Sequence, residues 1–182
     1  IDFGANTGFF GLSLARRFPT GRVLAIEANP VHAQLITDVA HAFHMSNVEV
    51  IGRPLSLDDL PLLSQRDVLL HLNVLHHAGS DFDSDKVKNN DDFVPYAREY
   101  LSRLRQCSKI MIFQMGTNRG GDKSSSLFDY EDDVGKLVFI SEILRSSGWE
   151  VVRVAYPTRP ENDMDIEYRD IPTEVDLADP DA

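Results

Sequence analysis

The chain has 182 residues, 42% of them hydrophobic and 26% charged, with a formal charge of -11; this suits one globular domain with a real core and leaves no basic footprint for nucleic acid. No apolar run approaches the ~20 residues a membrane-spanning helix needs, no signal-peptide pattern stands at the start, and the single cysteine, Cys107, rules out an intrachain disulfide, so a cytoplasmic location is expected. The acidity is concentrated in residues 161–182, which hold nine acids against one arginine; residues 176–182 read as an acidic tail and 1–175 as a single domain.

In chain order, strands and helices alternate. Ile1–Phe3 reads as the end of a first strand whose earlier part is expected to be missing from the chain. Phe9–Phe18 has helical spacing, with Phe10, Leu14 and Phe18 on one face. "RVLAIEA" (22–28) is a buried-strand run, and Asn29-Pro30 is an N-cap followed by proline at the first position of a helix reaching about His44. "VEVIG" (48–52) is the third strand and "DVLLHLNVL" (67–75) the fourth, apolar enough to be interior. A helix follows at about 93–105, then a fifth strand at 109–115 and a polar Gly/Ser-rich loop at 117–133. Val134–Ser147 reads as a helix stopped by Gly148. "WEVVRVAY" (149–156) and "DMDIEYRDI" (163–171) are the last two strands, the second alternating like an edge.

Helices between strands imply right-handed crossovers. The expected fold is α/β: a doubly wound, mostly parallel seven-stranded sheet with helices on both faces. The short "PTRPEN" connection makes the last two strands an antiparallel C-terminal hairpin.

In such sheets ligands bind beyond the carboxyl ends of the strands, where strand order reverses. Gly4, Asn6 and Gly8 stand there, after the first strand and before a helix. A dinucleotide fingerprint, G-x-G-x-x-G, would need glycines at 6 and 9, where the chain has Asn6 and Phe9; a nicotinamide-dependent oxidoreductase is therefore the weaker reading. Glu27 ends the second strand, placed to accept both hydroxyls of a ribose.

The stretches "DFGANTG", "AIEANP" and "LNVLHHAG", in that order, resemble motifs of the class I S-adenosylmethionine-dependent methyltransferases, and the resemblance covers nearly the whole chain. Asn6 stands where many members have glycine. The resemblance implies S-adenosyl-L-methionine as cofactor, with S-adenosyl-L-homocysteine as product. Gly4, Asn6 and Gly8 would lie along its methionine part, with Asp2 beneath the turn. Glu27 would hold the ribose, Ala28 touch the adenine and Leu55 pack on its ring. Asn73 would lie near the methionine carboxylate. Arg53 stands where members often have an acid for the adenine amino group, leaving Asp58 or Asp59 as the acceptor.

Methyl transfer needs alignment and, for a protonated nucleophile, a base. His76 and His77 follow the fourth strand; neighbours in sequence point apart, and His77 is the expected base or orienting group, with His76 the other candidate. A metal site built from His71, His76, His77, Asp81, Asp83 and Asp85 is not expected, because "DFDSD" lacks the glycine and glutamate of a calcium loop. The rim segments 78–93 and 116–133 would recognise the acceptor, with Arg119 and Lys123 for an anionic group and Phe128 and Tyr130 as an apolar wall. The function expected is methyl transfer to oxygen or nitrogen of a small molecule or metabolite; the alternative is a non-catalytic module that binds cofactor or a partner. Oligomeric state is not encoded in any pattern found.

Overall fold

The computed structural model describes residues 1–128, 133–158 and 167–171. The chain forms two compact units, Ile1–Asp129 and Tyr130–Ala182.

The first unit is built on five parallel strands in the order β3-β2-β1-β4-β5, namely β1 (Asp2–Phe3), β2 (Val23–Ile26), β3 (Val48–Ile51), β4 (Arg66–Leu72) and β5 (Ser108–Gln114). Two adjacent cross-sheet rows fix its faces. Val50, Ala25, Asp2, Leu70 and Ile112 lie in register in one row, and Ile51, Ile26, Phe3, His71 and Phe113 in the next. Successive side chains alternate faces. The first row meets helices α1 (Phe9–Arg17) and α2 (Pro30–Ala42), where Ala25 packs with Ala5 and Ile36. The second meets α3 (Asn90–Cys107), where the Tyr100 ring lies edge-on to Phe3 at 6.3 Å and its hydroxyl is 3.2 Å from His71 Nε2. Helices thus stand on both faces, while Val68, Ile110 and Ile112 at the β4–β5 end of the first face are exposed. The chain runs outward from β1 to β3 and then returns to β4, so strand order reverses between β1 and β4, where a ligand site belongs.

Several expected boundaries move. The fourth strand stops at Leu72, because Asn73 takes a left-handed φ of 58°; Leu75–His77 then forms a short 3₁₀ turn. Helix α3 begins three residues early because Asn89 and Asp92 cap it reciprocally, each side chain accepting the other's backbone N–H. On α1 the face marked by Phe10, Leu14 and Phe18 is outward, those residues being exposed; the helix buries Gly11 and Ala15 instead. Small residues let it lie close on the sheet, where a Cβ at Gly11 would stand 2.8 Å from an Asp2 carboxylate oxygen.

The second unit holds α4 (Asp133–Ser146) and an antiparallel pair of strands, β6 (Val154–Thr158) and β7 (Glu167–Ile171). Gly148, at φ 85°, ends the helix as expected, its N–H donating to Arg145 O and that of Trp149 to Leu144 O. The sixth strand begins at Val154 rather than 149. Five of the seven expected strands form one sheet and β6 and β7 a sheet of their own. Residues 163–166, the acidic tail and Tyr130 lie outside the described residues. Among the described residues no helix is long and apolar enough to cross a membrane.

Candidate functional site

The turn after β1 is a chain of left-handed residues, Gly4, Asn6 and Gly8, with φ of 72°, 52° and 82°. Glycine adopts such angles freely, and asparagine more readily than other residues that carry a side chain. Its N–H groups are directed inward: those of Gly4 and Ala5 both donate to Ile26 O at 2.9 Å, and that of Gly8 to Ala5 O at 2.8 Å. Gly8 is the N-cap of α1 and has no side chain to cap it. Asp2 supplies the missing acceptor from the strand below, its Oδ2 taking the Gly11 N–H at 2.8 Å. Burial pushes the Asp2 carboxyl above its ordinary value, and the Gly11 hydrogen bond opposes that rise.

Glu27, at the end of β2, is turned onto this bend. One carboxylate oxygen accepts the Asn6 N–H at 2.6 Å and the other the Asn29 N–H at 2.7 Å. The side chain is only 8% exposed. Asn29 caps α2 by accepting the Val31 N–H, so the acid is held between two turns that are themselves fixed. Ala28 is exposed beside it.

The turn after β4 closes the other side. Val74 lies over Gly4, so closely that a Cβ there would stand 2.4 Å from Val74 Cγ2. The Asn73 N–H donates to Gln114 O at 2.8 Å, and its side chain is exposed. The two histidines part. His76 is buried, its Nδ1 accepting the Gly116 N–H at 3.1 Å, so a neutral ring carries its proton on Nε2. Burial, and then the neighbouring His77, hold it down at about 4. His77 is half-buried, with Nδ1 2.8 Å from Asp81 Oδ2.

The structure therefore brings Asp2, Gly4, Asn6, Gly8, Glu27 and the Asn73–His77 turn together at the strand ends. Leu55 is a core residue, 4% exposed. The acids considered for the adenine amino group are engaged elsewhere: Asp59 with Arg53 and Ser56, Asp58 with Lys86 and Arg103. Arg119 is not a free cation for an anionic ligand either; its Nη2 donates to Val87 O at 3.1 Å and ties the two rim loops. His71 is sealed among Phe3, Tyr100 and Phe113, and burial holds it at about 3. Among the described residues no three His, Cys, Asp or Glu side chains gather as a metal site. Val74 and Gly116 carry no sequence signal of their own, and Asp81 is marked only within the acidic run; spacing alone does not reveal that Val74 lies on Gly4.

No family model matches the chain, and no curated protein does. Solved structures do. A protein from Nostoc punctiforme described as a putative O-methyltransferase is 14% identical over 85% of this chain and 46% of its own, with a TM-score of 0.54. The bifunctional kinase-methyltransferase WbdD is 21% identical over 59% of this chain and 21% of its own, with a TM-score of 0.47. The N-terminal domain of EvdMO1, crystallised with S-adenosyl-L-homocysteine and D-fucose, is 20% identical over 59% and 39%, with a TM-score of 0.44. This chain spans less than half the length of each. The Nostoc likeness shows the fold, a Rossmann-like parallel sheet of the class I methyltransferase type.

Proposed function

We propose that this chain is a methyltransferase domain that uses S-adenosyl-L-methionine to methylate an oxygen or nitrogen of a small molecule or metabolite. The observation that carries the reading is Glu27, a near-buried carboxylate fastened by two backbone N–H groups at the mouth of a glycine bend. Each of its oxygens has one donor and room for a second, which suits a ribose diol. The left-handed angles are those that glycine adopts freely and that allow so tight a bend next to the acid.

In this reading Gly4, Asn6 and Gly8 border the methionine part, Asp2 holds the bend from below, Ala28 and Leu55 flank the adenine, and Asn73 lies near the methionine carboxylate. The cofactor supplies an electrophilic methyl group. The protein's own work is to align the nucleophile with that carbon and keep water out, worth ~7–11 kcal/mol in favourable cases. It also accepts the nucleophile's proton, worth ~10²–10⁴-fold. His77 is the group for that step. His76 is committed to Gly116 and has no exposed face to offer.

Isothermal titration of the full chain with S-adenosyl-L-homocysteine tests the reading. One-to-one binding is expected, weakened by about 10–100-fold in Glu27→Ala through loss of charge-assisted hydrogen bonds. Glu27→Gln is the companion variant, since it can keep an acceptor for one of the two turns. Folded wild-type protein that takes up no ligand removes the proposal.

A further inference from the structure

The loops after β4 and β5 close on each other around His77. The N–H groups of Ser80 and Asp81 both donate to His77 O at 3.0 Å, turning the chain back on itself. That turn sets Asp81 Oδ2 2.8 Å from His77 Nδ1. From the other loop, Gly120 presses on Ser80, where a Cβ would stand 2.6 Å from Ser80 Oγ, and Gly121 faces His77, where a Cβ would stand 3.9 Å from Cε1. The His76 ring lies 4.2 Å behind. The titratable groups facing His77 are therefore His76, which stays neutral, and Asp81. His77 Nδ1 is buried and makes no hydrogen bond to another group; the Asp81 carboxylate, itself 66% exposed, is the acceptor within reach.

We infer that Asp81 is a positioning residue that keeps the His77 proton on Nδ1 and leaves Nε2 free as the proton acceptor for a hydroxyl-bearing acceptor substrate. Which nitrogen of an imidazole carries the proton is set by the hydrogen bond the other side makes. A carboxylate at Nδ1 selects the Nδ1–H form, and the second nitrogen is left basic. The inference rests on the methyltransferase reading above and narrows its substrate class to an alcohol or phenol. The hydroxyl oxygen takes the methyl carbon from the sulfonium donor as its proton passes to Nε2. The electron pair of the broken S–C bond stays on sulfur as a neutral thioether. The resulting imidazolium, beside the Asp81 carboxylate, releases its proton to water. Glycines at 120 and 121 let the second loop lie directly against Ser80 and His77.

The test reads the tautomer directly. Long-range ¹H–¹⁵N spectra of the full chain, without cofactor and at mildly alkaline pH, report which ring nitrogen is protonated. His77 is expected mainly as Nδ1–H in wild type, shifting to mainly Nε2–H in Asp81→Ala, with the Nδ1–H form regained in Asp81→Glu. His76 serves as the internal control, Nε2–H in all three. A wild-type His77 that is already Nε2–H, or a spectrum unmoved by Asp81→Ala while His76 reports a native fold, overturns the inference. These spectra do not depend on cofactor. If the Nδ1–H signature is present but the titration with S-adenosyl-L-homocysteine fails, it is the methyltransferase reading that falls, and with it the role given to the pair.

Discussion

The turn after β1 and the turn after β4 meet at one point, Gly4 against Val74, yet they are built on opposite plans. The first is made of backbone. Its N–H groups are paired inward, Asp2 holds it from below, and the acid turned onto it, Glu27, is pinned by the N–H groups of Asn6 and Asn29. The second is made of side chains. Two adjacent histidines leave the same short helical turn, one buried and bonded to Gly116, the other half-buried beside an exposed acid. A rigid backbone cradle suits a ligand that is always the same. Exposed side chains on loops suit the part of the reaction that differs between acceptors.

The largest expected effect breaks the contact between the two turns. Gly4→Ala places a side chain at φ 72° and within 2.4 Å of Val74 Cγ2. The left-handed angle costs about 1–2 kcal/mol and the overpacking about 1–3 kcal/mol. Urea unfolding should show their combined loss. Adding Val74→Ala should recover the overpacking part only. Full recovery would mean that the backbone angle carries no strain, and that the bend is not the rigid half of the comparison.

The second effect reads the buried histidine of the second turn by pH. Burial depresses His76 to about 4 and His71 to about 3, against an ordinary value of 6.5. The unfolded chain therefore binds protons first. Stability contributed by the neutral rings is whole above pH 6.5 and is lost as pH falls through the window toward those values, at up to ~1.4 kcal/mol per pH unit for each ring. His76→Asn keeps an acceptor for the Gly116 N–H and removes one titration. Between pH 6.5 and 5 it should roughly halve the slope of stability with pH. An unchanged slope would show that His76 is not desolvated in the folded chain.

The rigid half was also the legible half. "DFGANTG" and "AIEANP" mark the bend and its acid because left-handed backbone demands glycine or asparagine, and an acid at a strand end with a capped helix behind it has a recognisable spacing. Strand alternation carried the parallel core for the same local reason. The side-chain half was not legible. Nothing periodic shows that Asn73 breaks the strand, that Asp81 returns to His77, or that Arg119 serves Val87 rather than a ligand. Those facts depend on loops closing across residues 73 to 119 in space. The apolar period marks α1 correctly as a helix but does not say which face is buried: Gly11 and Ala15 are small enough to set the contact, and Phe10, Leu14 and Phe18 face outward.

The smallest effect sharpens what the bend does. Glu27 is bound by the backbone N–H of Asn6, and the Asn6 side chain is exposed. If the side chain matters only for tolerating φ 52°, then Asn6→Gly should shift stability by no more than about 0.5 kcal/mol, as surface substitutions usually do. It should also leave the affinity for S-adenosyl-L-homocysteine unchanged. Asn6→Ala keeps the same N–H but places a β-carbon in the left-handed region without a short polar side chain to ease it, and should cost about 1–2 kcal/mol. Melting curves of the two variants, run side by side with the titration, separate backbone from side chain. A loss of binding in Asn6→Gly at full stability would move Asn6 from the frame of the site to its contact surface, and the first turn would then use side chains as the second does.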